Sequence, residues 1–446
     1  MNTFEKIKEL YWNNPLMSEK QKEKLFYSIK GLVRGKVKTQ IDDGLSKKYI
    51  DEILSIQMFN NTFSINHPTK PLIKLNNEDP KLLAYYLPQF HPDPHNDTWW
   101  GKGSTEWTNV SKSLPQYLGQ YQPRLPGELG FYDLRVQENI YRQIELAKFY
   151  GVYGFCFYYY WFNGERLLDL PFNNFVNDEN IDFPFCICWV NESWTKQWSG
   201  ASNEILVEVP KTEDAYKNFI KNACDLFSKG NYICVNDKPV LVIYKPFDIP
   251  SIATVIDYWR SFVKEKAGKD LYLIAAINSP NVIKKDLIIN GFDALSEFAP
   301  GPQLEYMEEI SKTKDFVCET FYGKVYDYKR FVEQQKYFKI KNPKLYRAVS
   351  PMWDNTARKM NKGTILDGAT PDLYKAWLKD VIVETKQNKN LDDSLIFINA
   401  WNEWAEGTYL EPDLKWKYGY LEATKDAILE TREILEKEKR TSGGGK

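Results

Sequence analysis

Glu403 and Glu406 stand three residues apart in NAWNEWAEGTYLEP (399–412), between Trp401, Trp404 and Gly407. Two carboxyl groups about 5–9.5 Å apart are the acid–base pair of glycosidic bond cleavage, which passes through an oxocarbenium-like transition state. Side chains at i and i+3 stand about 10 Å apart along an extended strand. On a helical turn the Cβ atoms come to about 5–6 Å. The spacing therefore suits this chemistry if the chain turns after Trp404, and Gly407 is placed to permit the turn. The alternative is a solvated pair at a strand end. The histidines number three, His67, His91 and His95. A Ser-His-Asp or Cys-His site drawn from the later strands is thus disfavoured, and carboxylates are the natural acid–base groups.

Such a pair needs a scaffold, and from residue 80 the chain supplies a rhythm. Apolar, β-branched and aromatic runs recur at 82–88, 152–161, 183–192, 239–246, 271–278, 293–300, 345–355 and 394–404. Near-continuous apolar runs predict strands buried on both faces, as in parallel sheets. Amphipathic stretches fall between most of them. Residues 135–150 place Val136, Ile140, Ile144 and Ala147 on one stripe, and 213–228 place Tyr216, Phe219, Ala223 and Leu226. Residues 371–386 open with Thr370 as cap and bury Leu373, Trp377 and Val381. Eight strands alternating with helices predict an α/β fold, a (β/α)8 TIM barrel over 80–440. Residues 1–79 read as an N-terminal appendage, with two short helices before about residue 40 and a polar, irregular linker over 41–79. No Gly-rich dinucleotide fingerprint or P-loop follows any strand.

Active sites of this barrel form at the C-terminal strand ends. Those ends carry Gln89 and His91, Tyr160 and Trp161, then Trp189, Asn191, Glu192 and Trp194. Tyr244, Lys245, Asn278 and Glu297 follow, then Trp353, Asp354 and Arg358, and finally Trp401, Asn402, Glu403, Trp404 and Glu406. All of the 14 tryptophans except Trp12, Trp259 and Trp377 sit at or just after these ends. Aromatic faces interleaved with carboxylates and amides are what a sugar cleft requires, since rings pack on pyranose C–H faces while polar groups bond the hydroxyls. The bland readings stand beside this one: Asn191 and Glu192 capping a strand, and Asp354 and Arg358 forming a structural salt bridge. His91, Asp93 and His95 in HPDPH invite a metal, but two prolines and no fourth ligand favour a hydrogen-bonded loop.

Composition narrows the classes. Lys plus Arg number 59 against 60 Asp plus Glu, so no nucleic-acid partner is suggested. No run approaches the length and apolarity of a membrane span. The N-terminus MNTFEKIKELYWNN lacks a secretory pattern, which predicts a cytoplasmic protein. The six cysteines are scattered in apolar surroundings and read as structural thiols, with no metal set.

The motifs LAYYLPQFHPDPHNDTWWGKGSTEWTNV, FCFYYYWF, WVNESWTKQW, SPMWDNTAR and NAWNEWAEGTYLEP, in that order over about residues 80–430, resemble the WbsX-like proteins. These are related to glycoside hydrolase family 99, the (β/α)8 endo-α-mannosidases and mannanases. The resemblance implies a retaining glycoside hydrolase of α-linked sugars in a polysaccharide or its precursor. By the same resemblance Glu403 is the general base and Glu406 the general acid, and the sugar's own 2-hydroxyl forms a 1,2-anhydro intermediate without metal or cofactor. Binding roles are implied for Tyr86 and Arg358, beside Trp161, Asn191, Glu192, Trp194, Asp354, Trp401 and Trp404 from the strand ends. PQFHP and WVNESW follow the WbsX-like branch more closely. Members of that branch occur with polysaccharide-assembly proteins and are often labelled glycosyltransferases. A glycosyltransferase of surface polysaccharide synthesis is therefore the rival reading, although no Asp-x-Asp triplet is present. A non-catalytic glycan-binding barrel is the third, and the intact Glu pair argues against it.

Overall fold

The computed structural model describes residues 43–58, 72–162, 164–195, 204–278, 288, 290–317, 320–335 and 342–443. The two helices expected before residue 40 lie outside them. Eight parallel strands form the barrel: β1 Lys81–Tyr86, β2 Gly154–Phe162, β3 Phe185–Trp189, β4 Lys238–Ile243, β5 Tyr272–Ile277, β6 Ala294–Glu297, β7 and β8 Leu395–Ile398. β7 runs as two pieces, Leu345–Tyr346 and Ala348–Val349. The first piece pairs with β6 and the second with β8, while β8 also pairs with β1, so the ring closes.

Each expected run delivers its strand, and all but β2 end before the run does because the last residues turn into rim loops. The break in β7 has a local cause. Ala348 donates its N–H at 3.0 Å to the Glu297 carboxylate, which also accepts from Arg347 Nε at 2.8 Å. Arg347 reaches outward to Glu384 on the helix Pro371–Gln387. Glu297, read from sequence as a rim residue, is thus a buried structural side chain.

Helices Gln137–Tyr150, Glu213–Ala223, Ile252–Ala267, Pro371–Gln387 and Gly419–Gly443 cover the barrel. Thr370 accepts from Leu373 N, the cap its sequence implies. Val136 is the N-cap of its helix and stays exposed, whereas Ile140, Ile144 and Ala147 enter the core. The region read as an irregular linker contains a helix, Asp43–Met58. Its Glu52 carboxylate accepts from Gly119 N at 2.9 Å, and Tyr49 donates to Pro115 O at 3.3 Å. That helix therefore docks on the long β1–β2 connection, which also contributes to the rim. Among the described residues no helix is long and apolar enough to cross a membrane.

Candidate active site

After β8 the chain makes a two-residue strand, Asn402–Glu403, and then a 3₁₀ turn, Trp404–Glu406. Asn402 pins this segment to the end of β1, accepting from Leu87 N at 2.7 Å and donating to Leu87 O at 3.0 Å. Gly407 ends the turn at φ 60°, and a Cβ there would lie 2.6 Å from Asp354 O. Both the left-handed backbone and the close approach demand glycine. The turn after Trp404 is therefore real, and in a 3₁₀ turn side chains at i and i+3 eclipse.

Arg358 stands at the centre of the site. Its Nη1 donates to Glu406 Oε1 at 2.9 Å, and its Nη2 donates to Glu403 Oε2 at 3.2 Å and to Glu106 Oε1 at 2.9 Å. Glu106 belongs to the short helix Glu106–Ser111 and also accepts from Ala405 N at 2.9 Å. Arg358 is 8% exposed, Glu403 5% and Glu106 0%, so water screens none of these charges effectively. Burial, then the charge of Glu406, pushes the Glu403 carboxyl well above the usual carboxylate range, against the pull of Arg358. Burial works against the charge of Arg358, but the surrounding carboxylates outweigh it and its pKa rises.

A cleft of about 270 Å³ opens over this cluster. Glu403, Glu406 and Arg358 line one side, with Lys359 and Glu192; Tyr158, Tyr160, Val190, Tyr244 and Phe298 line the rest. Glu192 accepts from Lys245 Nζ at 2.5 Å. Phe298 packs against Tyr244 and Tyr85, giving an aromatic wall continuous with the barrel interior. Rings that can receive an apolar face thus share a cleft with groups that can move protons.

Of the residues expected to bind substrate, Glu192 and Arg358 line the cleft and the others do not. Strand alternation explains most of the difference. On β2, Tyr158 and Tyr160 point inward, so Trp161 points outward and packs on Trp189 and Phe219. On β1, Tyr86 points outward and donates to Gln143 at 2.7 Å. Trp401 packs on Phe155, and Trp404 stacks on Tyr409 while donating to Glu411 at 2.6 Å. These tryptophans are at most 1% exposed and brace the rim from behind. Trp194 is 6% exposed and packs beside Tyr160. Asn191 clamps the next loop, donating to Lys245 O at 2.7 Å and accepting from Lys245 N at 2.8 Å. Asp354 pairs with Gln120 and Thr356 and is not the partner of Arg358. In HPDPH, Asp93 caps the helix Pro94–Trp100 and His91 lies 3.1 Å from Pro88 O, the hydrogen-bonded loop.

Reading strand ends missed Glu106, because it lies twenty residues beyond β1. One signal was present: GSTEWTN and WNEWAEG share a Glu-Trp pair. The two tryptophans, Trp107 and Trp404, pack 5.4 Å apart.

Comparison with known proteins agrees with this architecture. The endo-α-mannosidase of glycoside hydrolase family 99 from Bacteroides thetaiotaomicron superposes with a TM-score of 0.50 at 15% identity, over 81% of this chain and 100% of that one. The same figures hold for its complex with bis-tris-propane. At that identity the likeness is one of fold. Curated relatives called uncharacterized protein WxcX, from two strains of Xanthomonas campestris pv. campestris, are 37% identical over 353 residues, or 79% of this chain and 50% of theirs. The chain thus spans about half their length. Residues 82–424 match the family described as glycosyltransferase WbsX. By that match, which takes in all eight strands but for Lys81 and includes the Glu403–Glu406 turn, the chain belongs to the WbsX family.

Proposed function

We propose that this protein is a retaining glycoside hydrolase acting on α-linked sugars of a polysaccharide or its precursor. The observation that carries the reading is Arg358 gripping Glu403 and Glu406 from adjacent nitrogens, inside a cleft walled by Tyr158, Tyr160, Tyr244 and Phe298. Glu403 is the base, and Glu406, the more exposed of the two at 21% of its side chain against 6%, is the acid. Glu403 takes the proton of the sugar 2-hydroxyl as that oxygen attacks the anomeric carbon, and Glu406 protonates the departing glycosidic oxygen. A water, deprotonated by Glu406, then opens the 1,2-anhydro ring, and O2 recovers its proton from Glu403. A base pushed upward in pKa by burial suits abstraction from a hydroxyl.

The family's description supports a second reading, transfer from a nucleotide-sugar. Against it, Glu192, Glu403 and Glu406 line the cleft with carboxylates that repel a diphosphate, while Arg358 and Lys245 already hold those carboxylates and leave Lys359 as the other cation of the lining. From the family match we also propose an association with polysaccharide-assembly proteins. The test is proton NMR of the first sugar released from an α-linked oligosaccharide. The α-anomer appearing first supports the mechanism. The β-anomer appearing first overturns retention, and consumption of a nucleotide-sugar only with an acceptor present overturns hydrolysis.

A further inference from the structure

Glu106 is fully buried, and one of its oxygens does two jobs. Oε1 accepts from Arg358 Nη2 and from Ala405 N, both at 2.9 Å. Ala405 lies between Glu403 and Glu406, so the second bond ties the middle of their turn to the helix Glu106–Ser111. The first bond draws on the same nitrogen that serves Glu403. Oε2 is buried with no hydrogen-bond partner among the described residues. A carboxylate kept this way, where an amide could make the same two bonds, argues that its charge is used.

We infer that Glu106 is a positioning residue for the acid–base pair: it fixes the turn between Glu403 and Glu406 and, by competing for their arginine, leaves Glu403 a stronger base. The inference rests on the hydrolase reading for its catalytic meaning, while its electrostatic part stands on geometry alone. Glu403 faces Glu406 on its own turn, Arg358 on the helix Thr356–Lys359, Glu106 on its helix, Tyr158 and Tyr160 on β2, and Tyr244 beyond β4. Among these, Glu406 and Glu106 oppose ionisation of Glu403, and Arg358 favours it. Neutralising Glu106 removes one opposing charge and weakens the hold on Arg358 that competes with Glu403, so both effects lower the Glu403 midpoint.

The test needs no substrate. In the full chain with ¹³C-labelled glutamate side chains, the Glu403 carboxyl is identified by its loss in E403Q and titrated in wild type, E106Q and E106D. E106Q, which keeps acceptors for Ala405 and Arg358, is expected to lower the midpoint by about one pH unit. E106D keeps the charge and is expected to retain the raised midpoint. An unchanged midpoint in E106Q overturns the inference. So does a midpoint in E106D as low as that of ordinary glutamate, which would make packing, not charge, the cause; this arm stands even if E106Q fails to fold. On a glycan that wild type cleaves, E106Q lowers kcat about tenfold or more with KM little moved, and shifts the acid limb of kcat to lower pH. Wild type that cleaves nothing bears on the hydrolase reading and leaves the titration result intact.

Discussion

Replacing Arg358 with methionine removes the cation shared by two buried carboxylates, Glu106 and Glu403, and the half-buried Glu406. The side chain is 8% exposed and donates to Glu106, Glu403 and Glu406 at 2.9, 3.2 and 2.9 Å. Methionine roughly fills the volume, so the loss is one of charge compensation more than packing. Breaking a buried ion pair by removing one partner costs about 3–5 kcal/mol, and that is the deficit expected at pH 8. Its pH dependence carries the stronger test. Without the cation the three carboxyls repel one another, so their folded pKa values lie above the unfolded ones. A group raised in this way contributes stability that is present below its unfolded pKa and lost as pH rises through the folded value. The deficit of R358M therefore opens as pH climbs above the ordinary glutamate range, about 4.3, and is smallest below it. Urea unfolding of wild type and variant at pH 4 and pH 8 measures it. An equal deficit at both pH values, or none at either, would refute the reasoning that these carboxylates depend on Arg358.

G407A forces a left-handed backbone costing about 1–2 kcal/mol and sets a methyl 2.6 Å from Asp354 O; a lowered Tm and a kcat reduced about a hundredfold are expected, and wild-type values of both would contradict the turn geometry. Glu411 is raised to about 7, chiefly by burial, so its contribution is present below the ordinary glutamate range and lost as pH rises through about 7. Stability should fall by up to about 3 kcal/mol across that window in wild type and by visibly less in E411Q, as pH-dependent unfolding will show. W161F should lower stability by about 1–3 kcal/mol while leaving KM within about twofold; a large rise in KM with a sound fold would place Trp161 at the substrate.

The barrel was readable because its strands are buried on both faces, and such strands announce themselves as apolar runs at every turn of the βα cycle. The same property hid the parity of each strand. In FCFYYYWF all eight residues are aromatic or apolar, so nothing in the run says that Tyr158 and Tyr160 face the cleft while Trp161 faces the helix layer. Among the tryptophans read as binding surface, Trp161, Trp401 and Trp404 lie buried behind the rim. The turn that carries Glu403 and Glu406 to one cleft was legible through their spacing and Gly407. Glu106 was not, since what joins it to the pair is a long connection folding back over the rim. The helix Asp43–Met58 escaped because its apolar spacing, Leu45, Tyr49, Ile53 and Ile56, is set among polar and charged residues such as Lys47, Lys48, Asp51 and Glu52.

Whether Glu403 and Glu406 break a glycosidic bond is read from product release from a panel of α-mannosyl, α-rhamnosyl and related oligosaccharides by wild type, E403Q and E406Q. Release by wild type that both variants lose, with all three equally folded, is the predicted result. Release undiminished in either variant would contradict it.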